Sequence, residues 1–90
     1  MTVTRTVEIL NEMGLHARPS AKIAKLASTF DAEVTLRNGD ILVPAKSIMQ
    51  LLNLLASEGT ELVIEGEGAQ AEEAVAAIAD LIASRFGEDR

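Results

Sequence analysis

The sequence predicts an α+β fold in which a four-stranded antiparallel sheet and three helices form an open-faced two-layer sandwich. Apolar and polar residues alternate in four short segments, apolar residues recur at helical spacing in three others, and the order is β-α-β-β-α-β-α. Alternation in the strands requires one face of the sheet to stay in water, so the helices must cover the other face. The 90 residues, 48% of them apolar, fit a single domain over residues 1–90.

The strand predictions depend on alternation and on turn residues. Val7 and Ile9 are two positions apart and are expected on the same face of the first strand, opposite polar residues. Asn38-Gly39 is typical of a two-residue turn between two strands, and Pro44 is expected to end the second of them. The four predicted strands are residues 2–10, 31–37, 41–43 and 60–67.

The helix predictions depend on apolar stripes and on capping residues. Ser47 is a typical N-cap for the second helix, in which Leu51 and Leu55 are expected to lie in the core. The third helix has the clearest apolar stripe and is expected to end at Phe86, with Gly87–Arg90 frayed. The three predicted helices are residues 17–29, 48–55 and 69–86.

Composition excludes several classes of function. A net charge of −6 and only two aromatic residues argue against a general nucleic-acid binder. Without cysteine and with one histidine, no disulfide framework, thiolate nucleophile or zinc site with two or more imidazoles is possible, which leaves only carboxylate-based metal sites. We expect neither a metal nor a cofactor. The absence of a long apolar run and the polar start Met1-Thr-Val-Thr-Arg predict a soluble cytoplasmic protein that does not insert into membranes.

Charge is distributed unevenly between the two parts of the chain. Residues 1–50 contain six basic and five acidic residues, whereas residues 51–90 contain two and nine, giving net charges of +1 and −7. We expect the functional residues within the first 53 positions and interpret the acidic part as a solvated scaffold.

Reactive residue types concentrate in one segment, residues 14–20, with the sequence GLHARPS. Gly14 permits a turn, His16 falls at the N-cap of the first helix, and Pro19 lies in the first turn, where a missing N–H costs nothing. A nucleophilic imidazole beside free helix-start amides and the Arg18 guanidinium suits a phosphoryl group. The alternative is that His16 and Ser47 only cap helices in a non-catalytic regulatory or ligand-binding module.

This segment resembles the active-site signature of the HPr family, the histidine-containing phosphocarrier proteins of the bacterial phosphotransferase system. Lys46–Met49 (KSIM) is similar to the family's second signature, and Glu58–Leu62 (EGTEL) to the stretch that leads into its last strand. The resemblance covers nearly the whole chain, and the fold that it implies is the same open-faced sandwich.

The resemblance implies a phosphoryl carrier without turnover of its own, and therefore not an enzyme. His16 would accept on Nδ1 a phosphoryl group that phosphorylated enzyme I obtains from phosphoenolpyruvate, and would pass it to a histidine of an enzyme IIA-type domain for sugar uptake. Arg18 would pair with the phosphoryl oxygens, assisted by the backbone amides of Ala17 and Arg18. We expect a monomer. An alternative in the same class is the nitrogen-related branch, in which the acceptor is a signalling protein.

The resemblance also implies a regulatory site and a docking surface. Besides capping a helix, Ser47 would be the target of an HPr kinase/phosphorylase, although Gln50 stands where many kinase-regulated members have glycine. An exposed apolar patch would dock the partners, with lysines as a basic rim that attracts acidic groups. The expected docking residues are Ile48, Met49, Leu52, Asn53, Lys22, Lys25 and Lys46.

Overall fold

The computed structural model describes residues 2–90 and consists of a four-stranded antiparallel sheet with helices packed against it. The strands are β1 (Thr2–Glu8), β2 (Glu33–Asn38), β3 (Ile41–Pro44) and β4 (Glu61–Glu67), and the helices are α1 (Ala17–Ala27), α2 (Ile48–Leu52) and α3 (Ala71–Ala83). The strand order is β1-β4-β2-β3, and every neighbouring pair is antiparallel. The predicted element order and sheet are confirmed. Within residues 2–90, no helix has both the length and the apolar character needed to cross a bilayer.

The central strand β4 shows how the two layers meet. Its side chains at Leu62 and Ile64 are buried, whereas Glu61 on the opposite face is exposed. Gly66 continues the buried face, and a Cβ there would lie only 2.6 Å from Cγ2 of Val75. The backbone of β4 is therefore in direct contact with α3, which leaves no space for a side chain between them.

Helix α3 buries the predicted apolar stripe but ends earlier than expected. The buried residues are Ala71, Ala74, Val75, Ile78, Ala79 and Ile82. Beyond Ala83 the chain makes a short 3₁₀ turn, Arg85–Gly87, in which Arg85 and Phe86 adopt left-handed backbone angles (φ 58° and 57°). This turn ends the helix, and it directs the Phe86 side chain into the core.

Two predicted boundaries shift for local reasons. Helix α1 ends at Ala27 because the hydroxyl groups of Ser28 and Thr29 donate hydrogen bonds to carbonyls of the last turn. The turn between β2 and β3 is Gly39-Asp40, because Asn38 still pairs with Ile41 in the sheet. The Asn38 side chain instead donates a 3.0 Å hydrogen bond to the carbonyl of Leu54, outside the sheet.

The prediction that Leu55 lies in the core is wrong. Helix α2 ends at Leu52, and Leu55 lies beyond it with a left-handed backbone (φ 58°) and a side chain that is 74% exposed. Its neighbour Leu54 is fully buried instead, as is Leu51. Helical spacing does not continue beyond the five-residue helix, so the inward position moves by one residue.

We expect opposite effects from substitutions at these neighbouring leucines. Leu55→Gly removes the left-handed strain of a residue with a Cβ and few contacts, so it should stabilise the fold by up to about 1 kcal/mol. Leu54→Ala leaves a cavity and should cost about 2–5 kcal/mol. Urea unfolding measures both values. A loss from Leu55→Gly as large as that from Leu54→Ala would show that Leu55 contributes core contacts.

Candidate functional site

The loop before α1 is held against the loop after α2. Gly14 has a left-handed backbone (φ 69°), and a Cβ there would lie 2.7 Å from the carbonyl oxygen of Ala56 and 2.8 Å from Cα of Ser57. The Leu15 amide donates a 2.9 Å hydrogen bond to the same carbonyl of Ala56. Only glycine permits this close approach, which fixes the start of α1.

His16 is the N-cap residue of α1, as predicted. Its backbone is extended, its carbonyl accepts a 3.0 Å hydrogen bond from the Ser20 amide, and its side chain forms no capping bond. Pro19 has no N–H, and no acceptor within residues 2–90 takes the amide hydrogens of Ala17 and Arg18. Because the imidazole does not cap the helix, two amides at the positive end of the α1 dipole are free for an anion.

The imidazole of His16 contacts a carboxylate from the end of the chain. Its Nε2 lies 2.8 Å from Oε2 of Glu88, and the two side chains are 34% and 18% exposed. Oε1 of Glu88 accepts a 3.0 Å hydrogen bond from Nδ2 of Asn11. Asn11 is fully buried, and its amide also donates to the carbonyl of Gly14 at 2.8 Å. Asn11, Glu88 and His16 thus form one hydrogen-bonded chain.

The expectation that Gly87–Arg90 are frayed is therefore wrong for Glu88. The left-handed turn reverses the chain after α3, and burial of Phe86 anchors it. The ammonium group of Lys22 donates a hydrogen bond to the carbonyl of Phe86, which ties the turn to α1. These contacts bring Glu88 to His16.

The charges around Glu88 lower the pKa of its carboxyl group. Partial burial by itself raises this pKa, but hydrogen bonds from Asn11 and His16 and the charges of His16 and Arg18 outweigh it, so the pKa lies below its ordinary value. The carboxylate therefore stabilises the fold at pH above its ordinary pKa, and this contribution is lost as the pH falls through the lowered value.

The remaining groups of the site are free to bind a ligand. Nδ1 of His16 has no hydrogen-bond partner in residues 2–90. Arg18 is exposed, and no carboxylate of the described chain lies within ion-pair distance of its guanidinium. One nucleophilic nitrogen, two amides and one guanidinium are thus available at the start of α1, a set that can receive and hold a phosphoryl group.

Ser47 is the N-cap of α2, and its Oγ accepts a 3.2 Å hydrogen bond from the Gln50 amide. Its capping role is therefore present, and its regulatory phosphorylation stays a prediction.

The expected docking residues lie at accessible positions, with one qualification. Ile48 and Met49 are 43% and 72% exposed, and α2 packs against α1. The amine of Lys22 is engaged with the Phe86 carbonyl, so this residue has a structural role that the sequence did not indicate. Lys25, Lys46 and Asn53 are exposed and Leu52 is half-buried. Docking itself stays a prediction for all seven residues.

The sequence did not predict Asn11 and Glu88 as residues of this site. Both residues lie outside the GLHARPS segment and are 77 positions apart in the sequence, and no local sequence pattern indicates that Asn11 and Glu88 are in contact. No three His, Cys, Asp or Glu side chains of residues 2–90 group into a metal-binding cluster.

Comparison with known proteins identifies the class. A family model described as the PTS HPr component phosphorylation site matches residues 3–84. The phosphocarrier protein NPr of Escherichia coli K12 is 47% identical over 90 residues, covering 99% of this chain and all of the relative. The phosphocarrier protein HPr of Neisseria meningitidis is 45% identical over 84 residues, covering 93% of this chain and 94% of the relative. The crystal structure of an HPr from Thermoanaerobacter tengcongensis superposes with a TM-score of 0.93 at 41% identity, covering 98% of this chain and 99% of that protein.

The fold, the start of α1 and these relatives define a phosphocarrier of the phosphotransferase system, which carries a phosphoryl group without catalytic turnover of its own. The chain belongs to the HPr family.

The contact between His16 and Glu88 predicts a shift in the pKa of the carboxyl group. In His16→Ala the hydrogen bond and the charge of the imidazole are lost, so the pKa of Glu88 should rise. A carbon-13 NMR titration of the side-chain carboxyl groups measures it, and Lys46→Ala, which removes a charge that does not act on Glu88, should leave it unchanged. An unchanged Glu88 pKa in His16→Ala would show that the two side chains do not interact in solution.

Proposed function

We propose that His16 accepts a phosphoryl group on Nδ1 from phosphorylated enzyme I and passes it to a histidine of an enzyme IIA-type domain. The observation that carries this proposal is the arrangement at the start of α1, where Nδ1, two amides and a guanidinium are all without partners in the described chain. A carrier needs a linkage that survives diffusion and still transfers, and a phosphoramidate at histidine has both properties.

The protein has little covalent chemistry to perform beyond supplying the nucleophile. Phosphoryl transfer depends mainly on positioning and on stabilising the charge of the oxygens. The amides of Ala17 and Arg18 offer fixed donors, and the guanidinium of Arg18 adds a mobile positive charge that can follow the phosphoryl group. The relatives are phosphocarriers, which favours this function over a non-catalytic module in which His16 only caps α1.

We further propose that the acceptor belongs to the nitrogen-related branch, instead of the sugar-uptake branch that the resemblance puts first. This is supported by the match to an NPr, which extends over the full length of that relative at 47% identity. The cytoplasmic location, the monomeric state and the regulation of Ser47 stay predictions.

The carrier function predicts a phosphorylated histidine. Incubation with enzyme I and phosphoenolpyruvate should add one phosphoryl group, acid-labile and base-stable, as followed by intact mass and phosphorus NMR. His16→Ala should gain none, whereas Ser47→Ala should be modified like the wild type. Failure of the wild-type protein to gain phosphate would contradict the proposal.

Transfer rates to the two kinds of IIA acceptor then decide the branch, and faster transfer to a sugar-branch acceptor would overturn the nitrogen-branch assignment.

Arg18→Ala should slow transfer without unfolding the protein. Loss of a charged hydrogen bond to the phosphoryl oxygens should reduce the rate by about ten- to a hundredfold, while an exposed arginine without an ion-pair partner in residues 2–90 adds little stability. Quenched-flow transfer kinetics and thermal unfolding measure the two effects. Arg37→Ala, which removes an exposed arginine from β2, is the matched control. A fold lost in Arg18→Ala, or equal rates in both variants, would contradict the role of Arg18.

A further inference from the structure

The side chain of Glu88 has both oxygens engaged at the site. Oε2 lies 2.8 Å from Nε2 of His16, and Oε1 accepts from the amide of Asn11 at 3.0 Å. The same amide nitrogen of Asn11 donates to the carbonyl of Gly14. Asn11 is fully buried, and the two acceptors of its Nδ2 fix the orientation of its amide group.

We propose that Glu88 is a positioning residue that keeps the proton of the neutral His16 imidazole on Nε2 and so leaves the electron pair of Nδ1 free to attack phosphorus. A carboxylate accepts hydrogen bonds only, so a 2.8 Å contact with a neutral imidazole requires a proton on Nε2. This inference rests on the proposed role of His16 as the phosphoryl acceptor.

The transfer step balances without a proton shift. The Nδ1 electron pair forms the new N–P bond while the N–P bond to the donor histidine breaks, and that electron pair leaves with the donor nitrogen. The proton on Nε2 stays in place, so the ring of His16 becomes cationic as the bond forms. The Glu88 carboxylate lies beside this developing charge and stabilises it, as a carboxylate does for the histidine of a hydrolase triad.

Replacement by glutamine should be worse than removal of the side chain. In Glu88→Gln the amide of Asn11 would continue to donate, so the carbonyl oxygen of the new glutamine side chain would face it. The NH₂ group of that glutamine would then face Nε2 of His16 and donate to it, which places the imidazole proton on Nδ1 and blocks the nucleophile. Glu88→Ala only removes the preference of the imidazole proton for Nε2.

The experiment compares Glu88→Gln, Glu88→Ala and the control Asp89→Asn with the wild type. Asp89 is the exposed neighbouring acid, so its substitution removes the same charge without touching His16. The chain has a single histidine, so nitrogen-15 NMR of labelled, unphosphorylated protein at alkaline pH reports the two ring nitrogens directly. Phosphoryl transfer from phosphorylated enzyme I is measured in parallel by quenched flow.

We expect the wild type and Asp89→Asn to show a protonated Nε2 and an unprotonated Nδ1. Glu88→Ala should show a mixture, and Glu88→Gln should shift the proton toward Nδ1. Transfer should slow by about tenfold or more in Glu88→Gln, less in Glu88→Ala, and not in Asp89→Asn.

The proposal is overturned if the nitrogen-15 spectrum of Glu88→Gln is identical to that of the wild type, or if Asp89→Asn shifts the ring-nitrogen signals equally. It is also overturned if the proton moves to Nδ1 in Glu88→Gln and phosphoryl transfer is not slower. Absence of phosphorylation in the wild type would instead refute the carrier role of His16 and with it the transfer step, whereas the spectra would still locate the proton. Amide spectra of the variants show whether the fold is retained.

Discussion

The hydrogen bond from the Leu15 amide to the Ala56 carbonyl is the contact on which the rest of the site depends. It joins the loop before α1 to the loop after α2, and Gly14 makes it possible by leaving no side chain between the two backbones. Asn11 and His16 lie in or beside the same loop, so this contact determines where both can point. The backbone of His16 is thereby held by main-chain contacts, and Nδ1 of its imidazole has no hydrogen-bond partner within residues 2–90.

The site joins two parts of the chain with opposite charge character. The first 50 residues carry a net charge of +1 and contribute His16 and Arg18, whereas residues 51–90 carry −7 and contribute Glu88. The interpretation of the acidic part as a solvated scaffold is therefore incomplete. One carboxylate of that part, held by Asn11, lies 2.8 Å from Nε2 of the nucleophilic imidazole.

Much of the fold could be predicted because periodicity reports burial. Alternation located β4, and helical spacing located the six buried residues of α3 and the start of α1 at Ala17. The errors occur where backbone angles leave the regular regions, at Leu55 and in the turn of Arg85 and Phe86. A left-handed backbone at a non-glycine residue has no marker in the sequence, since tertiary packing imposes it. Glu88 was missed because its position follows from that turn.

The pairing of His16 with Glu88 spans 72 positions of the chain. In the folded protein, the position of the Glu88 carboxylate beside the imidazole depends on the packing of α3 against the sheet and on the burial of Phe86. During synthesis the arginine and the amides at the start of α1 exist long before this partner emerges from the ribosome. The order of translation thus places the completed pairing of His16 with Glu88 after the synthesis of α3 and of the turn that follows it.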